Sequence, residues 1–318
     1  MNGLLSAVRS ACARVADRAR FVSIDTAALE RFFAAHGELA PPAGADPAHQ
    51  HFGDPATTLA YVVTLDAINF GSGWFPELVK RPGMSGYFTV ATCLREQFAR
   101  AGAWSAADLA KLDAERCAEV FGQRGNAAVR DLMELFARAL RDLGDWLAAR
   151  HGGSFERAVA AADGSAERLA TSLCEMTLYR DVARHSGVDV PLYKRAQITA
   201  ADLAAAFGGR GPGAFRDLRD LTIFADNLVP HVLRCEGVLV YDPDLVARIE
   251  REELLPAGSP EEVEIRALAL HAVELAVRAL RERGVDASAQ ELDYWLWHRG
   301  QRPEIKAHPR HRTRCPYY

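Results

Sequence analysis

The stretch that decides the fold is SPEEVEIRALALHAVELAVRALRERG, residues 259–284. Ser259 followed by proline and two glutamates indicates a helix start, since the serine hydroxyl and a glutamate can accept the helix's first N–H groups as a capping box. Gly284 indicates the end of the helix. The apolar residues between them spread broadly around the helix, which predicts that it is central to the fold. They include Val263, Leu268, Ala272, Leu275 and Leu280.

Other helix starts are equally clear, whereas strand signals are few. Asp54-Pro55 predicts a helix that runs to about Phe70. Asn126 opens another, and residues 21–24 and 238–241 can form at most a small accessory strand pairing. We therefore predict a mainly α, compact fold. The helix after Asn126 has apolar residues at steps of three and four, namely Val129, Leu132, Met133, Phe136, Leu140, Leu143 and Leu147.

Composition limits the class of protein. The chain has 318 residues, of which 49% are hydrophobic, enough for a sizeable core. The net charge of −4 argues against DNA as a partner. No apolar run approaches the ~20 residues that cross a bilayer, and arginines interrupt the N-terminal stretch, so we expect neither a membrane nor a secretory signal. Six scattered cysteines without a C-x-x-C pair predict a reduced, cytoplasmic setting and no metal site.

The domain organisation is predicted from breaks in the helical pattern. We find no internal repeat and expect one domain over residues 1–318, without a cofactor or an obligate protein partner. A break near residues 186–191 is a soft internal boundary between an N-terminal and a C-terminal helical half.

Asp66 is a carboxylate on an apolar helix face, between Val62 and Phe70, with Asn69 beside it. Because a buried carboxylate is costly without a partner, two interpretations stay open. It could bond a loop or a buried arginine. It could instead accept hydrogen bonds from a guanine-like ring, whose N1–H and exocyclic amine lie side by side.

Aromatic residues and glycines follow in the segment 70–76, FGSGWFP, and again in Gly86-Tyr87-Phe88. Glycines let the backbone approach a flat ligand, and aromatic faces can stack on it. Core packing is the commoner role for such residues. We select Trp74 and Tyr87 as ligand contacts, because an indole and a phenol each need a polar partner.

A third group of polar residues lies in the C-terminal half. Lys194 and Gln197 share a face of a predicted helix that runs through Phe207, and a glycine-rich turn follows at 208–213. The apolar run LTIFA then ends in Asp226, predicted as the N-cap of the next helix. Asp226 either serves only as that cap or faces a developing cation as a stabilised anion.

At these residues the chain resembles the queuosine salvage protein family of queuosine 5′-phosphate N-glycosylase/hydrolases. The resemblance covers nearly the whole chain and rests on several blocks in one order. These are LDAINF (65–70), SGYFTVATCL (85–94), YRDV (179–182), YKRAQI (193–198), LTIFADNLVPHVL (221–233), EEVEIRA (261–267) and HRTRCPYY (311–318).

The resemblance implies a fold, an activity and a set of site residues. The family is similar to helix-hairpin-helix DNA glycosylases, so a glycosylase-like C-terminal half is expected. The expected activity is hydrolysis of queuosine 5′-monophosphate to queuine. The expected catalytic residues are Asp226 and the cation Lys194. From the chemistry of the residues themselves, we expect Asp66 and Asn69 to bind the base and Phe70 or Trp74 and Tyr87 to stack on it. Lys194 and Arg195 are the candidates for the phosphate, to which Arg312 and Arg314 could contribute. His51 and His231 could bind ribose or phosphate, or each could be an ordinary histidine satisfied within the protein.

Three rival functions can be weighed against this one. A non-catalytic queuine- or nucleotide-binding protein would not need a carboxylate beside the sugar. A glycosylase that acts directly on tRNA would need a basic surface, which the charge balance offers only in the tail after His298. A metal-dependent nucleotide hydrolase is the weakest, because no H-x-x-x-H or similar ligand spacing is present.

Overall fold

A computed structural model describes residues 3–35 and 52–318 of the chain. Its regular elements are, in chain order, α1 Leu4–Ala16, β1 Val22–Ile24, α2 Thr26–Ala35, α3 Pro55–Ala67, α4 Gly86–Ala101, α5 Ala106–Leu109, α6 Ala114–Val120, α7 Arg130–His151, α8 Phe155–Ala160, α9 Ala166–Leu173, β2 Val182–His185, β3 Val188–Pro191, α10 Lys194–Ala206, α11 Val229–Cys235, β4 Leu239–Tyr241, α12 Pro243–Glu250, α13 Pro260–Glu282, α14 Ala289–Arg299 and α15 Pro303–Lys306. The prediction of a mainly α fold is confirmed.

The described residues form two units, each assembled from segments that are distant in sequence. The first unit takes residues 3–35, 181–194 and 217–314, and the second takes 52–180, 195–216 and 315–318. Residues 186–191, predicted as a soft boundary, lie within the first unit. The single domain that we expect over residues 1–318 stays a prediction.

Helix α13 is the centre of the first unit, as its sequence predicts. Residues 262–270 are buried without interruption, and the helix packs against α1, α2, α11 and α14. Ser259 accepts the main-chain N–H of Glu262 at its start. The Glu262 carboxylate accepts from Gly258, one residue before the position that the predicted capping box requires, at 3.1 Å.

Two small antiparallel sheets complete the first unit. Strands β1 and β4 pair Val22 with Tyr241 and Ile24 with Leu239, which confirms the predicted accessory pairing. The second sheet is a hairpin of β2 and β3 that the sequence analysis missed. Its turn is Ser186-Gly187, with φ of 50° and 80°, the left-handed conformation typical of two-residue hairpin turns.

Helices α3 and α7 form the core of the second unit. Asp54 accepts the N–H of Thr57, so α3 begins as predicted, but the helix ends at Ala67 rather than near Phe70. Every residue from Thr58 to Ala67 is buried, so α3 is enclosed on all sides and has no single apolar face. Asn126 caps a 3₁₀ turn over residues 127–129, and helix α7 begins only after it, at Arg130. All the predicted apolar positions from Leu132 to Leu147 are buried, and α7 packs against α5 and α6.

The helices in the described part of the chain were also compared with the requirements of a bilayer. None of them combines the length and the apolar character needed to span a membrane.

Candidate active site

Asp226 follows residues 221–225, a segment of the first unit without regular secondary structure, just before α11. Its Oδ1 accepts the N–H of Leu228 at 2.7 Å and of Val229 at 3.1 Å. The helix itself begins at Val229, so Asp226 lies in the turn before it, and the predicted N-cap position is wrong by two residues. In the part of the chain that the structure describes, both hydrogen bonds of this carboxylate use Oδ1, which leaves Oδ2 available to a substrate.

The chain around Asp226 is fixed by buried polar groups. Asp293 Oδ1 accepts the N–H of Phe224 at 2.8 Å, and Asn227 Nδ2 donates to the main-chain oxygen of His311 at 3.4 Å. Burial lowers the pKa of the Arg310 guanidinium, and the Asp226 carboxylate opposes that shift. An arginine of the basic tail therefore lies within the electrostatic reach of Asp226. Sequence reasoning placed Arg310 only in a basic run.

The part of the tail around Arg310 is packed within the first unit, whereas most residues from 302 to 308 are exposed. Leu255 donates its N–H to the main-chain oxygen of Arg312 at 2.8 Å. His311 and Thr313 are buried. Arg312 and Arg314 are the residues on either side of Thr313. Their role in phosphate binding stays a prediction.

Lys194 is the first residue of α10 and is 4% exposed. Its N–H donates to Asp181 Oδ2 at 3.2 Å. Tyr193, just before it, has φ of 49°, a left-handed conformation that costs free energy in a residue with a side chain. The start of α10 is therefore held in a specific backbone conformation.

Asp66 is 1% exposed in the last turn of α3, in the second unit. Its Oδ1 accepts from Asn69 Nδ2 at 3.2 Å, so the two predicted base-binding residues are adjacent. The nearby Asp66 carboxylate contributes to a raised pKa of the Tyr179 phenol, which is chiefly an effect of burial. The Asp66 carboxyl group thus lies in a buried setting, near the Tyr179 phenol.

The aromatic residues after Asp66 are mostly packed inside the second unit. Phe70 contacts Phe136 edge to face, with ring centroids 5.2 Å apart, and Trp74 is buried. Tyr87 is half-buried and contacts Phe88 at 5.4 Å. Of the three predicted stacking residues, Tyr87 is the most accessible. Which ring contacts a base stays a prediction.

The turn between Phe70 and Trp74 is anchored by the last residue of the chain. Gly71, with φ of 112°, donates its N–H to the main-chain oxygen of Tyr318 at 2.9 Å. Tyr318 is 2% exposed. The positive φ favours glycine here, and an added Cβ would lie 2.7 Å from a terminal methyl group of Leu132, which would have to shift.

Arg195 supports this part of the second unit. Its two terminal nitrogens donate to the main-chain oxygens of Ala67 and Leu178. Its guanidinium lies 4.8 Å from the centre of the Phe70 ring and 4.5 Å from that of Tyr179. This geometry does not support the predicted phosphate contact, because both terminal nitrogens are used within the protein.

The two predicted histidines differ in what can be said of them. His51 lies outside the described residues. His231 is buried in the first unit, and its Nε2 lies 3.0 Å from the oxygen of Ile305. Burial lowers the pKa of His231 to about 4, so the imidazole is neutral near pH 7. This supports the ordinary buried-histidine interpretation over a contact with phosphate.

The family model described as "Queuosine salvage protein" matches residues 48–318. The chain belongs to this family. Among curated relatives, the queuosine 5′-phosphate N-glycosylase/hydrolase of Sphaerobacter thermophilus is 39% identical, with 99% of this chain and 98% of the relative covered. The proteins of the same name from Mus musculus and Dictyostelium discoideum are 37% and 32% identical, over 67% and 82% of this chain and 66% and 78% of theirs.

Within this queuosine salvage family member, the predicted site residues fall into two sets. Asp226 and Lys194 belong to the first unit, and Asp66, Asn69, Phe70, Trp74, Tyr87 and Arg195 belong to the second. The structure adds Arg310, Asp181 and Arg266 to the residues around the first set. The signal for Arg266 was present in the sequence, since an arginine within the apolar stretch EIRALAL needs a buried partner.

Proposed function

We propose that this chain hydrolyses the N-glycosidic bond of queuosine 5′-phosphate and releases the base queuine for salvage into tRNA. The observation that carries the proposal is the relationship to the Sphaerobacter thermophilus N-glycosylase/hydrolase, at 39% identity over nearly the full length of both chains. The polar residues of both units supply groups of the kind this reaction needs.

Asp226 is the proposed catalytic residue. Cleavage of an N-glycosidic bond passes through an oxocarbenium-like state in which positive charge grows on the sugar. With Oδ1 fixed by Leu228 and Val229, Oδ2 can stabilise that charge and orient the attacking water. A preorganised charge of this kind contributes about 100- to 1000-fold in rate.

Departure of the base is the harder half of the reaction. Queuine contains a 7-deazaguanine ring, which has no N7 to protonate, so the usual route for activating a purine is closed. We assign Asp66, held by Asn69, to the N1–H and amine edge of the ring. Tyr87, Phe70 or Trp74 would stack on its face.

Lys194, which belongs to the same unit as Asp226, is the proposed cation that binds the 5′-phosphate. Arg195 is reassigned to support of the Phe70 ring, in line with its contacts. Several expectations stay predictions. We expect a cytoplasmic location, no cofactor and no obligate protein partner, and we expect the chain to bind neither DNA nor a membrane.

The test is to incubate the protein separately with queuosine, its 5′-phosphate and its 3′-phosphate and to measure free queuine by mass spectrometry. We expect the fastest release from the 5′-phosphate. Binding of queuine without release from any of the three would favour the non-catalytic alternative. Release from intact modified tRNA but not from the nucleotides would favour the tRNA-directed glycosylase.

A further inference from the structure

The first unit contains a buried group of charges that the proposed mechanism does not use. Arg266 on α13 is 1% exposed. Its two terminal nitrogens donate to the two carboxylate oxygens of Asp181, at 3.1 and 2.6 Å. Glu262, one turn earlier on α13, lies 3.4 Å from the same guanidinium. Because buried charges are costly to desolvate and add little net stability, such a group calls for a specific role.

One side of this group of charges bonds to the main chain immediately before Asp226. Arg266 Nε donates to the main-chain oxygen of Ala225, the residue immediately before Asp226, at 2.8 Å. The guanidinium is planar, so the three bonds to Ala225 and Asp181 fix its orientation as well as its place. The backbone that carries the Asp226 carboxylate is thus tied to the Arg266–Asp181 pair.

The other side of this group of charges bonds to the main chain of Lys194. Asp181 Oδ2 accepts the N–H of Lys194 at 3.2 Å, and the main-chain oxygen of Asp181 accepts from Leu192 at 2.9 Å and Tyr193 at 3.3 Å. These three bonds hold the left-handed backbone at Tyr193 that sets where α10 begins. A single residue, Asp181, therefore fixes the backbone of Lys194 and of the two residues before it.

We propose that Arg266 and Asp181 are positioning residues that hold Asp226 and Lys194 at a fixed separation for catalysis. The inference rests on the proposed function, because it takes Asp226 and Lys194 as the reacting carboxylate and the active-site cation. The pair acts through the backbone at Ala225 and Lys194. Neither Arg266 nor Asp181 is assigned a contact with the substrate.

Arg266→Lys is the informative variant, because it keeps the positive charge but removes the planar fork. One ammonium group does not reproduce the directions of three bonds to Ala225 and both Asp181 oxygens. A misplacement of about 1 Å in catalytic geometry costs about 100-fold in rate. We expect kcat for queuosine 5′-phosphate to fall about 10- to 100-fold, with KM changed less than about threefold. Asp181→Asn, which keeps an acceptor for Lys194, is the second variant if Arg266→Lys does not fold.

Glu264→Gln provides a matched control on the same helix. Glu264 is fully buried, and its carboxylate contacts His185 and the N–H groups of residues 20–22. Within the described residues, the Glu264 carboxylate makes no hydrogen bond to Ala225, Asp226 or Lys194. We expect this variant to lose thermal stability comparable to that lost by Arg266→Lys while its kcat stays unchanged at temperatures where it is folded.

A double variant separates positioning from general destabilisation. If Arg266 acts through Asp226, Arg266→Lys in an Asp226→Asn background should cost less in single-turnover rate than in the wild-type background, because the carboxylate it positions is gone and only its effect on Lys194 remains. An equal loss in both backgrounds, or an effect on kcat like that of Glu264→Gln, would overturn the positioning role. If wild-type protein released no queuine at all, the proposed function itself would fail and the inference with it.

Discussion

Among single residues, two carboxylates in different chemical settings have the central roles in the proposed reaction. Asp226 accepts two main-chain N–H groups in a turn and keeps one oxygen available to a substrate. Asp66 is a buried residue of α3, and its carboxyl group accepts a hydrogen bond from the Asn69 side chain. The first setting suits transition-state stabilisation, and the second suits recognition of a donor edge.

Asp66→Asn tests the base-recognition role. The amide has the same shape but presents one NH₂ group to ring donors that need acceptors. Hydrogen bonds to a charged group contribute about 1.5–3 kcal/mol, so we expect queuine to bind about 10- to 100-fold more weakly by calorimetry. Thr64→Val, a buried near-isosteric change on the same helix, should leave binding unchanged. A collapse of the melting temperature of Asp66→Asn, with binding retained, would support the structural interpretation of Asp66.

The buried histidines predict loss of stability in acid. Burial lowers the pKa of His231 to about 4 and that of His311 to about 3 in the folded protein, whereas an unfolded histidine has a pKa near 6.5. The unfolded state therefore takes up these protons first as pH falls. The stabilisation is complete above about pH 6.5 and is lost progressively as pH falls toward the folded-state values.

The free energy of unfolding of the wild-type protein, measured with urea at several pH values, should fall steeply between pH 6.5 and 4.5. Each buried histidine contributes up to about 1.4 kcal/mol per pH unit in that interval. His231→Gln should reduce the slope by about this amount. An identical slope in the variant would contradict the neutral, buried state of His231.

Sequence reasoning identified individual carboxylates because each one interrupts an apolar pattern. It missed the Arg266–Asp181 pair because the two residues are 85 positions apart, and no local pattern encodes such a pairing. It selected Arg195 and His231 for their chemistry. The structure shows that their polar atoms bond main-chain oxygens, which a residue type alone does not reveal.

At the scale of elements, the helices followed their local signals, since capping residues and apolar spacing act within a few residues of one another. Asp54, Asn126 and Ser259 each accept a main-chain N–H where a helix was predicted to begin. The β2–β3 hairpin was missed because its strands have only four residues each. Its Ser-Gly turn was the available signal.

Helix α7 depends on a glycine where it passes α5. A Cβ on Gly144 would lie 2.5 Å from the oxygen of Ala106 and 2.7 Å from the nitrogen of Ala110, both rigid backbone atoms. Gly144→Ala should therefore lower the free energy of unfolding by about 1–3 kcal/mol in denaturant titration, although alanine is the better helix former. Asp145→Ala, at the exposed neighbouring position, should be neutral or slightly stabilising. Unchanged stability of Gly144→Ala would show that α5 and α7 do not pack this closely.

At the scale of the whole molecule, the interleaving of the two units could not be predicted from the sequence. Within residues 52–318, the chain passes between units at residues 180/181, 194/195, 216/217 and 314/315. None of these positions is a proline- or glycine-rich linker, and one lies inside α10. Composition marks linkers between consecutive domains, whereas here each unit is built by long-range packing.

The resemblance supplied what physical patterns did not, namely a substrate for the residues they singled out. Membership of the queuosine salvage protein family is established over residues 48–318. The roles of individual residues in the reaction remain the part to be tested. Asp226 is the residue on which most of them depend.

The most direct test is the rate of queuine release from queuosine 5′-phosphate by wild-type protein and by Asp226→Asn, measured by mass spectrometry. We predict release by the wild type and a 100- to 1000-fold lower kcat in the variant, with KM and melting temperature nearly unchanged. An Asp226→Asn variant that releases queuine at close to the wild-type rate would contradict the catalytic role of Asp226.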